Sequence, residues 1–205
     1  MTVNKNYIQS FCTIQKNQIL LNGESVFSIE PTVFTDFSKK AYQHLEINYP
    51  KFFKMDNLSK LAFLGAELLL KNEIDPTQEN NTALVFANRS SSLDTDEKYQ
   101  NSISNPESYY PSPTVFVYTL PNICLGEISI KHQLKSENSF FIFPEYSPLF
   151  MEKYCNILLE TNKANKVLCG WVEYYNEDYN AFFYLVDNKG IVEHNQEQLN
   201  KLYIK

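Results

Sequence analysis

The stretch TALVFA at residues 82–87 is a continuous, largely apolar run with no charged side chain. Its length suits a strand, and it lacks the alternation of polar and apolar residues that marks a strand with one solvated face. A strand buried on both faces is typical of a parallel sheet that helices cover on its two sides. This stretch therefore predicts an α/β fold.

The segments around this strand favour the same fold class. Leucine and alanine residues recur at helical spacing over residues 58–69, with Asp56 or Asn57 as the cap and Asp75-Pro76 as the end. Strand-like and helical sequences then alternate, which indicates a largely parallel sheet with helices on both faces. Other strands are predicted at residues 7–14, 139–143, 167–175 and 181–186, and other helices at residues 114–134, broken at Pro121, and from Ser147-Pro148 onward.

Other segments carry weaker signals. Residues 30–49 indicate an extended connection with a short helix around residues 38–44. Residues 88–110 are rich in Ser, Asp, Asn and Glu, which predicts a long polar loop, either functional or mobile. The tight connection at residues 176–180 makes the last strand antiparallel to its neighbour. No linker or internal repeat is evident, so a single domain over residues 1–205 is predicted.

Composition narrows the class of protein. The chain has 205 residues, of which 43% are hydrophobic and 20% charged, as expected for one soluble globular domain. Its net charge is −6 and Arg89 is its only arginine, which argues against a nucleic-acid partner. No apolar run approaches the roughly 20 residues of a membrane span. The N-terminus has no signal-peptide core, so a cytoplasmic location is predicted.

The cysteines show no metal-binding or disulfide pattern. Cys12, Cys124, Cys155 and Cys169 are scattered, without a CxxC pair and without a histidine at metal spacing. They are predicted to be buried, reduced thiols. Neither a metal site nor a cofactor is expected.

Two segments resemble the β-ketoacyl synthases. Residues 49–72, YPKFFKMDNLSKLAFLGAELLLKN, are similar to the stretch in which a Met-Asp pair opens a helix. Residues 112–138, SPTVFVYTLPNICLGEISIKHQLKSEN, are similar to the family's succession of Ser-Pro, Leu-Pro-Asn and Ile-Ser-Ile. Residues 166–174 and 181–186 resemble two later strands, so the resemblance covers residues 49–187, which are most of the chain.

The resemblance implies one half of a thiolase-type fold, with a five-stranded mixed sheet covered by helices on both faces. Full-length members of the family contain two such halves in one chain. This sequence is therefore expected to correspond to the N-terminal half alone.

The resemblance also implies that the nucleophile is missing. In the family, a cysteine on a tight strand-to-helix turn carries the acyl group, because the helix N-terminus favours the thiolate. Counting from Asn138, that position falls on Glu145 or within one residue of it. Phe143, Pro144 and Tyr146 replace the small residues of the turn. Glu145 is interpreted as a helix cap or a residue that blocks the site, and less readily as a catalytic base.

No other residue supplies a mechanism. The family's catalytic histidines lie in the second half, and His44, His132 and His194 match no motif of the family. Cys155 lies within a predicted helix without a neighbouring histidine and is interpreted as structural. No catalytic residue is therefore predicted.

Inactive relatives of the ketosynthases are familiar as chain-length factors, which pair with an active ketosynthase through the strand before the nucleophile. The partner interface predicted here consists of Ser139, Phe140, Phe141, Ile142 and Phe143. An open edge of this kind would be an aggregation hazard; the alternative is that another part of the same chain covers it. Candidate contacts with an acyl chain or the partner are Phe116, Tyr118 and Tyr146.

Three functions remain open. The first is a non-catalytic ketosynthase-like subunit that pairs with an active ketosynthase-like protein, or with itself, in acyl-carrier-protein-dependent polyketide, aryl-polyene pigment or fatty-acid-type biosynthesis. The second is a stand-alone domain that binds acyl chains or a carrier protein. The third is a thioester-processing acyltransferase or hydrolase.

Overall fold

A computed structural model describes residues 5–203. Within them the strands are β1 (Tyr7–Gln15), β2 (Gln18–Leu21), β3 (Glu24–Ser28), β4 (Thr82–Asn88), β5 (Asn138–Ile142), β6 (Lys166–Tyr175), β7 (Asp178–Asp187) and β8 (Val192–Glu193). The α-helices are α1 (Phe34–His44), α2 (Asn57–Leu70), α3 (Leu93–Ile103), α4 (Pro113–Val117), α5 (Ile123–His132), α6 (Pro148–Glu160) and α7 (Gln196–Tyr203). Short 3-10 turns lie at Pro50–Lys54 and Pro106–Ser108.

The strands form one mixed sheet in the order β3-β2-β1-β7-β6-β4-β5, with β8 paired to β1. β4 lies between β5 and β6 and is parallel to both. β7 is antiparallel to β6 and to β1. The predicted α/β class, the mixed sheet and the antiparallel closing strand are confirmed. The expectation of a largely parallel sheet is wrong, because only two of the seven described strand pairings are parallel and the other five are antiparallel.

The sheet has eight described strands, whereas five were predicted. A hairpin turn at Lys16 and Asn17, both with positive φ, adds β2. The Asn22-Gly23 turn then adds β3, and the two-residue β8 pairs with the start of β1. These strands are short and flank sharp turns, so their sequences carry little periodicity of their own.

Helices cover both faces of the sheet. The larger core lies between the sheet and the helices α1, α2 and α5, and the second core lies between the sheet and the helices α6 and α7. Every residue of β4 is buried, as its apolar sequence predicts. Alternate β4 residues contribute to opposite cores, with Leu84 in the larger and Val85 in the second.

Several predicted helix boundaries are confirmed. The Asp56 side chain accepts a hydrogen bond of 2.9 Å from the Ser59 N–H and caps α2. The Ser112 side chain accepts a hydrogen bond from the Val115 N–H and so caps α4. The helical region around Pro121 is broken as expected, because α4 ends before this proline and α5 begins after it.

The prediction of a polar loop over residues 88–110 is wrong, because this segment contains helix α3. Thr95 is the buried residue of that helix, so an apolar stripe could not reveal it. Polar contacts stabilise the helix instead. Thr95 donates a hydrogen bond of 2.7 Å to Asp56, the residue that caps α2. Within α3, Lys98 forms an ion pair with Asp94 at 2.6 Å. Helix α1 is also longer than predicted and begins at Phe34.

None of the helices within residues 5–203 is both long and apolar enough to cross a membrane.

Candidate functional site

The segment between β5 and α6 lies at a cleft beside the sheet. Because β4, β5 and β6 are parallel, their carboxyl ends meet at one edge, where open α/β sheets bind ligands. Glu145, at the predicted nucleophile position, follows β5 and is exposed. It lines a cleft of about 460 Å³ together with Pro144 and Tyr146.

Glu145 does not cap helix α6. Ser147 precedes the helix without making a capping hydrogen bond, and Pro148 is its first residue. Glu145 has no hydrogen-bond or ion-pair partner among residues 5–203. The capping interpretation is therefore not met, and the carboxylate is free at the mouth of the cleft.

A buried carboxylate organises the opposite wall. Glu173 on β6 is 8% exposed and accepts hydrogen bonds from the backbone N–H of Arg89 at 2.7 Å and of Ser90 at 3.2 Å, and from the Ser90 hydroxyl. The Arg89 guanidinium lies 3.9 Å from Glu173 and is 63% exposed. Glu173 thus fixes the chain that follows β4 and places Arg89 at the cleft.

Aromatic side chains form the inner wall of the cleft. Trp171 is 5% exposed, and its ring centroid lies 6.1 Å from that of Tyr146. Tyr146 packs in turn on Tyr203 at 4.5 Å. Burial raises the pKa of Tyr203, as do the charges of Glu173 and Glu145, whereas Arg89 lowers it. The phenol therefore lies within the electrostatic reach of all three charged groups.

No described cysteine is placed to act as a nucleophile. Cys12, Cys124, Cys155 and Cys169 are all free and buried, which confirms the prediction of buried, reduced thiols. Burial raises the pKa of Cys12, Cys124 and Cys155. A thiol that is both buried and protonated is a poor nucleophile.

The three histidines lie away from the cleft. His44 Nε2 is 2.9 Å from the Val26 carbonyl oxygen. His132 faces Glu67 at 3.0 Å between α5 and α2, and His194 Nδ1 lies 3.3 Å from the Asn156 side chain. In the described part of the chain, no group of three or more His, Cys, Asp or Glu residues is placed to hold a metal ion.

Strand β5 lies at the edge of the sheet, with β4 as its partner on one side. Phe141 points toward α6, where its ring packs on Phe150 at 4.8 Å and Tyr154 at 5.2 Å. Phe140 packs against the other core, and Ile142 is 49% exposed. Among residues 5–203, no helix or strand pairs with the outer side of β5.

Some backbone N–H and C=O groups of β5 point away from β4, toward the open side of the strand. The Glu137 carbonyl accepts from the Leu84 N–H, and the Phe143 N–H donates to the Asn88 carbonyl. The odd-numbered residues of this segment therefore make their backbone hydrogen bonds to β4. Because alternate residues of a parallel strand bond to the same neighbour, the amides of the even-numbered residues face away from the sheet.

Large exposed apolar side chains concentrate on the part of the chain that surrounds β5. Of the thirteen such residues described, ten lie between Leu93 and Ile157. They are Leu93, Tyr109, Tyr110, Phe116, Val117, Leu120, Ile130, Ile142, Leu149 and Ile157. They are distributed over helices, loops and β5, and among them Ile142 belongs to the edge strand itself.

The three candidate acyl or partner contacts occupy different environments. Phe116 is 58% exposed and packs on Tyr99. Tyr118 is buried and donates a hydrogen bond of 3.1 Å to Glu127. Tyr146 is buried beside Trp171. Phe116 is therefore at the surface of the described chain and Tyr118 is internal, whereas Tyr146 is mostly buried but lines the cleft.

Sequence reasoning did not identify the pairing of Arg89 with Glu173. The two residues are distant in the sequence and meet only because β4 and β6 are neighbours. The one available signal was that Arg89 is the only arginine of the chain. The buried Glu127, which Lys51 approaches at 2.9 Å, was also missed.

Compared by sequence, the chain matches no protein-family model and no curated protein. Compared by structure, it is similar to the ishigamide ketosynthase/chain length factor, with a TM-score of 0.66 and 16% identity over 89% of this chain. It is also similar to the structure of the ketosynthase ApeO in complex with its chain length factor ApeC from Xenorhabdus doucetiae, with a TM-score of 0.57 and 16% identity over 91% of this chain.

A third similar structure is AntDE:AntF, a type II PKS acyl-carrier protein in complex with its ketosynthase, with a TM-score of 0.60 and 14% identity over 98% of this chain. The chain spans 62%, 80% and 66% of the lengths of these three structures in turn. Its fold is therefore the thiolase-like fold of ketosynthases and chain-length factors, as the sequence resemblance predicted.

Proposed function

We propose that the chain is a non-catalytic, chain-length-factor-like subunit that pairs with an active ketosynthase-like protein through β5. The observation that carries the proposal is the open β5 edge, which combines the half-exposed Ile142 with unpaired outward amides. Such an edge is a template for pairing with another strand. Each apolar side chain of Phe or Ile size contributes roughly 1.5–3 kcal/mol when it is fully buried.

The surfaces on either side of β5 extend this edge. Phe150, Tyr154 and Ile157 recur at helical spacing on α6, and Ile157 is 55% exposed. On the other face of the sheet, Ile130 of α5 is 59% exposed. A partner strand added to β5 would bring its own flanking helices against these side chains, which adds to the apolar area removed from water.

The absence of catalysis is part of the proposal. Decarboxylative condensation requires a thiolate that carries the acyl chain and imidazoles that stabilise the developing charge. The cleft holds Glu145 at the counted nucleophile position, and the described cysteines and histidines lie elsewhere. The chain would therefore contribute surface and shape to an assembly whose partner supplies the chemistry.

A carrier protein is the second proposed partner. Lys51 and Lys54 flank Phe53, which is 51% exposed and packs on Tyr42 of α1 at 4.8 Å. In a chain with a net charge of −6, this basic surface around an aromatic ring suits an acidic carrier domain.

Co-purification and hydrodynamics test the pairing. The tagged chain, isolated from its native cells, is expected to retain a ketosynthase-like protein in a complex of fixed stoichiometry. Sedimentation of the isolated chain reports whether it also pairs with itself. The proposal fails if the chain is monomeric at high concentration and captures no ketosynthase-like protein.

Asn138→Pro provides a test at the backbone. Asn138 is exposed and starts β5, and its amide faces outward, so proline removes one pairing donor and leaves the buried side chains in place. The variant is expected to weaken the complex while circular dichroism shows an unchanged fold. Retention of full affinity would place the contact outside the β5 edge.

A further inference from the structure

The cleft beside β6 contains charges of both signs that do not neutralise one another. Its lining includes Lys16 and Arg89, and also Glu145 and Asp178. Among residues 5–203, Lys16, Glu145 and Asp178 form no ion pair. Glu173 is already satisfied by the amides of residues 89 and 90 and by the Ser90 hydroxyl, so the more distant Arg89 guanidinium has donors to spare.

The cleft also has an unused donor in its inner wall. Trp171 is almost fully buried, with 5% of its surface exposed. Its indole N–H has no hydrogen-bond partner among the described residues. An indole N–H is a donor only and needs an acceptor. Tyr203, which is partly exposed, adds an aromatic surface beside it. The indole nitrogen is not among the fully buried unpaired atoms of the described residues, so water or a ligand can reach it and accept its hydrogen bond.

We propose that this cleft binds a small zwitterion of the α-amino acid class. The ligand's carboxylate would lie between Arg89 and the Trp171 N–H, and its ammonium group would face Glu145. A cavity of about 460 Å³ lies within the range of small-molecule sites. A simple anion would meet the two free carboxylates, and a simple cation would meet Arg89 and Lys16, so each would be opposed by part of the lining.

An apolar side chain on the ligand fits the same geometry. Tyr203 and Trp171 both pack on Tyr146, with ring centroids 4.5 Å and 6.1 Å from it. This aromatic wall favours an aromatic or large aliphatic amino acid over a polar one. The inference concerns the isolated chain and does not depend on pairing through β5.

Trp171 is the only tryptophan of the chain, so its fluorescence reports directly on the cleft. L-phenylalanine is the probe, and its matched analogues are phenethylamine, which lacks the carboxylate, and phenylpropionate, which lacks the ammonium group. Titration of the full chain is expected to give a saturable change with L-phenylalanine, with calorimetry as an independent measurement. Each analogue is expected to bind at least about tenfold more weakly, because each loses one charge-assisted contact.

Variants locate the site. Arg89→Gln and Glu145→Gln are each expected to weaken the binding of L-phenylalanine about tenfold, whereas Lys39→Gln, an exposed change on α1, leaves it unaltered. The Glu173 contacts of Arg89 that fix the loop use its backbone, so the fold is expected to survive the Arg89 change.

The proposal is overturned if L-phenylalanine gives no saturable response at millimolar concentrations. It is equally overturned if either analogue binds as tightly, or if both cleft variants bind like the wild type. None of these results would affect the test of pairing through β5, which is measured without ligand.

Discussion

A methyl group on Gly65 would lie 2.1 Å from Cε2 of Phe183. Helix α2 and strand β7 therefore approach each other at a distance that glycine alone allows. Phe183 has little freedom to move aside, because it is fully buried and packs edge-on against Phe86 at 5.4 Å. This contact sets the spacing between α2 and the sheet, on which the larger core depends.

Gly65→Ala is expected to lower the free energy of unfolding by about 1–3 kcal/mol, because the added methyl overpacks the core. Gly126→Ala is the matched control, since Gly126 lies in α5 with open space around its Cα. That change should be neutral or stabilise by up to about 1 kcal/mol through helix propensity. Urea unfolding of both variants measures the difference, and equal stabilities would contradict the close approach.

The native chain is expected to show no fast-reacting thiol, because its four cysteines are buried. All four should react once the chain is unfolded in denaturant.

Glu145→Cys should add one fast-reacting thiol, since Glu145 is exposed at the cleft, but no condensing activity. Thiol titration measures the reactivity of the cysteines, and mass spectrometry with acyl-carrier substrates measures condensing activity. A covalent acyl adduct with turnover in the wild type would contradict the non-catalytic assignment.

Ile142→Lys is expected to weaken association with the partner at least tenfold while lowering stability by less than about 1 kcal/mol, because this side chain is half exposed. Ile191→Lys is the matched control, as Ile191 is 59% exposed and lies beside β1. Sedimentation measures association and circular dichroism the fold. Equal effects of the two changes would exclude β5 as the interface.

Reversal of charge on the basic surface is expected to weaken carrier-protein binding. Lys54→Glu should reduce affinity about threefold and flatten its dependence on salt concentration. Lys163→Glu changes the same charge just beyond α6 and should have no effect. Fluorescence anisotropy with a labelled carrier protein makes the comparison. An unchanged salt dependence in the Lys54→Glu variant would rule out this surface.

Stability is expected to depend on His194 below neutral pH. Burial lowers the pKa of His194 from 6.5 to about 4, so the unfolded chain takes up this proton at a higher pH than the folded chain. The neutral, buried imidazole thus contributes stability above pH 6.5 that is lost as the pH falls toward 4. The full loss is about 3 kcal/mol.

His194→Gln is expected to remove this part of the pH dependence. Urea unfolding of the two proteins between pH 7 and about 4 gives the difference, in which the contributions of the other titrating groups cancel. Parallel curves for the wild type and the variant would show instead that His194 takes up its proton at the same pH in the folded and the unfolded chain.

The sequence by itself determined the elements with strong local signals. The apolar run that became β4 required burial on both faces, the cap at Asp56 began α2, and Pro121 separated α4 from α5. Each of these results from a property of a few adjacent residues: apolar area, a side-chain acceptor or a missing N–H. The position of Glu145 followed from counting along the chain.

Tertiary structure alone decided what surrounds those elements. Helix α3 has almost no apolar stripe and is held by Asp56, which comes from another element. Arg89 reaches the cleft because Glu173 on the neighbouring strand binds the backbone after β4. Whether β5 is central or at the edge depends on the order of strands, and local sequence does not encode that order because side-chain periodicity is the same in either place. Pairing across the sheet is a long-range property, so the open edge and the charged cleft emerge only when the chain is folded.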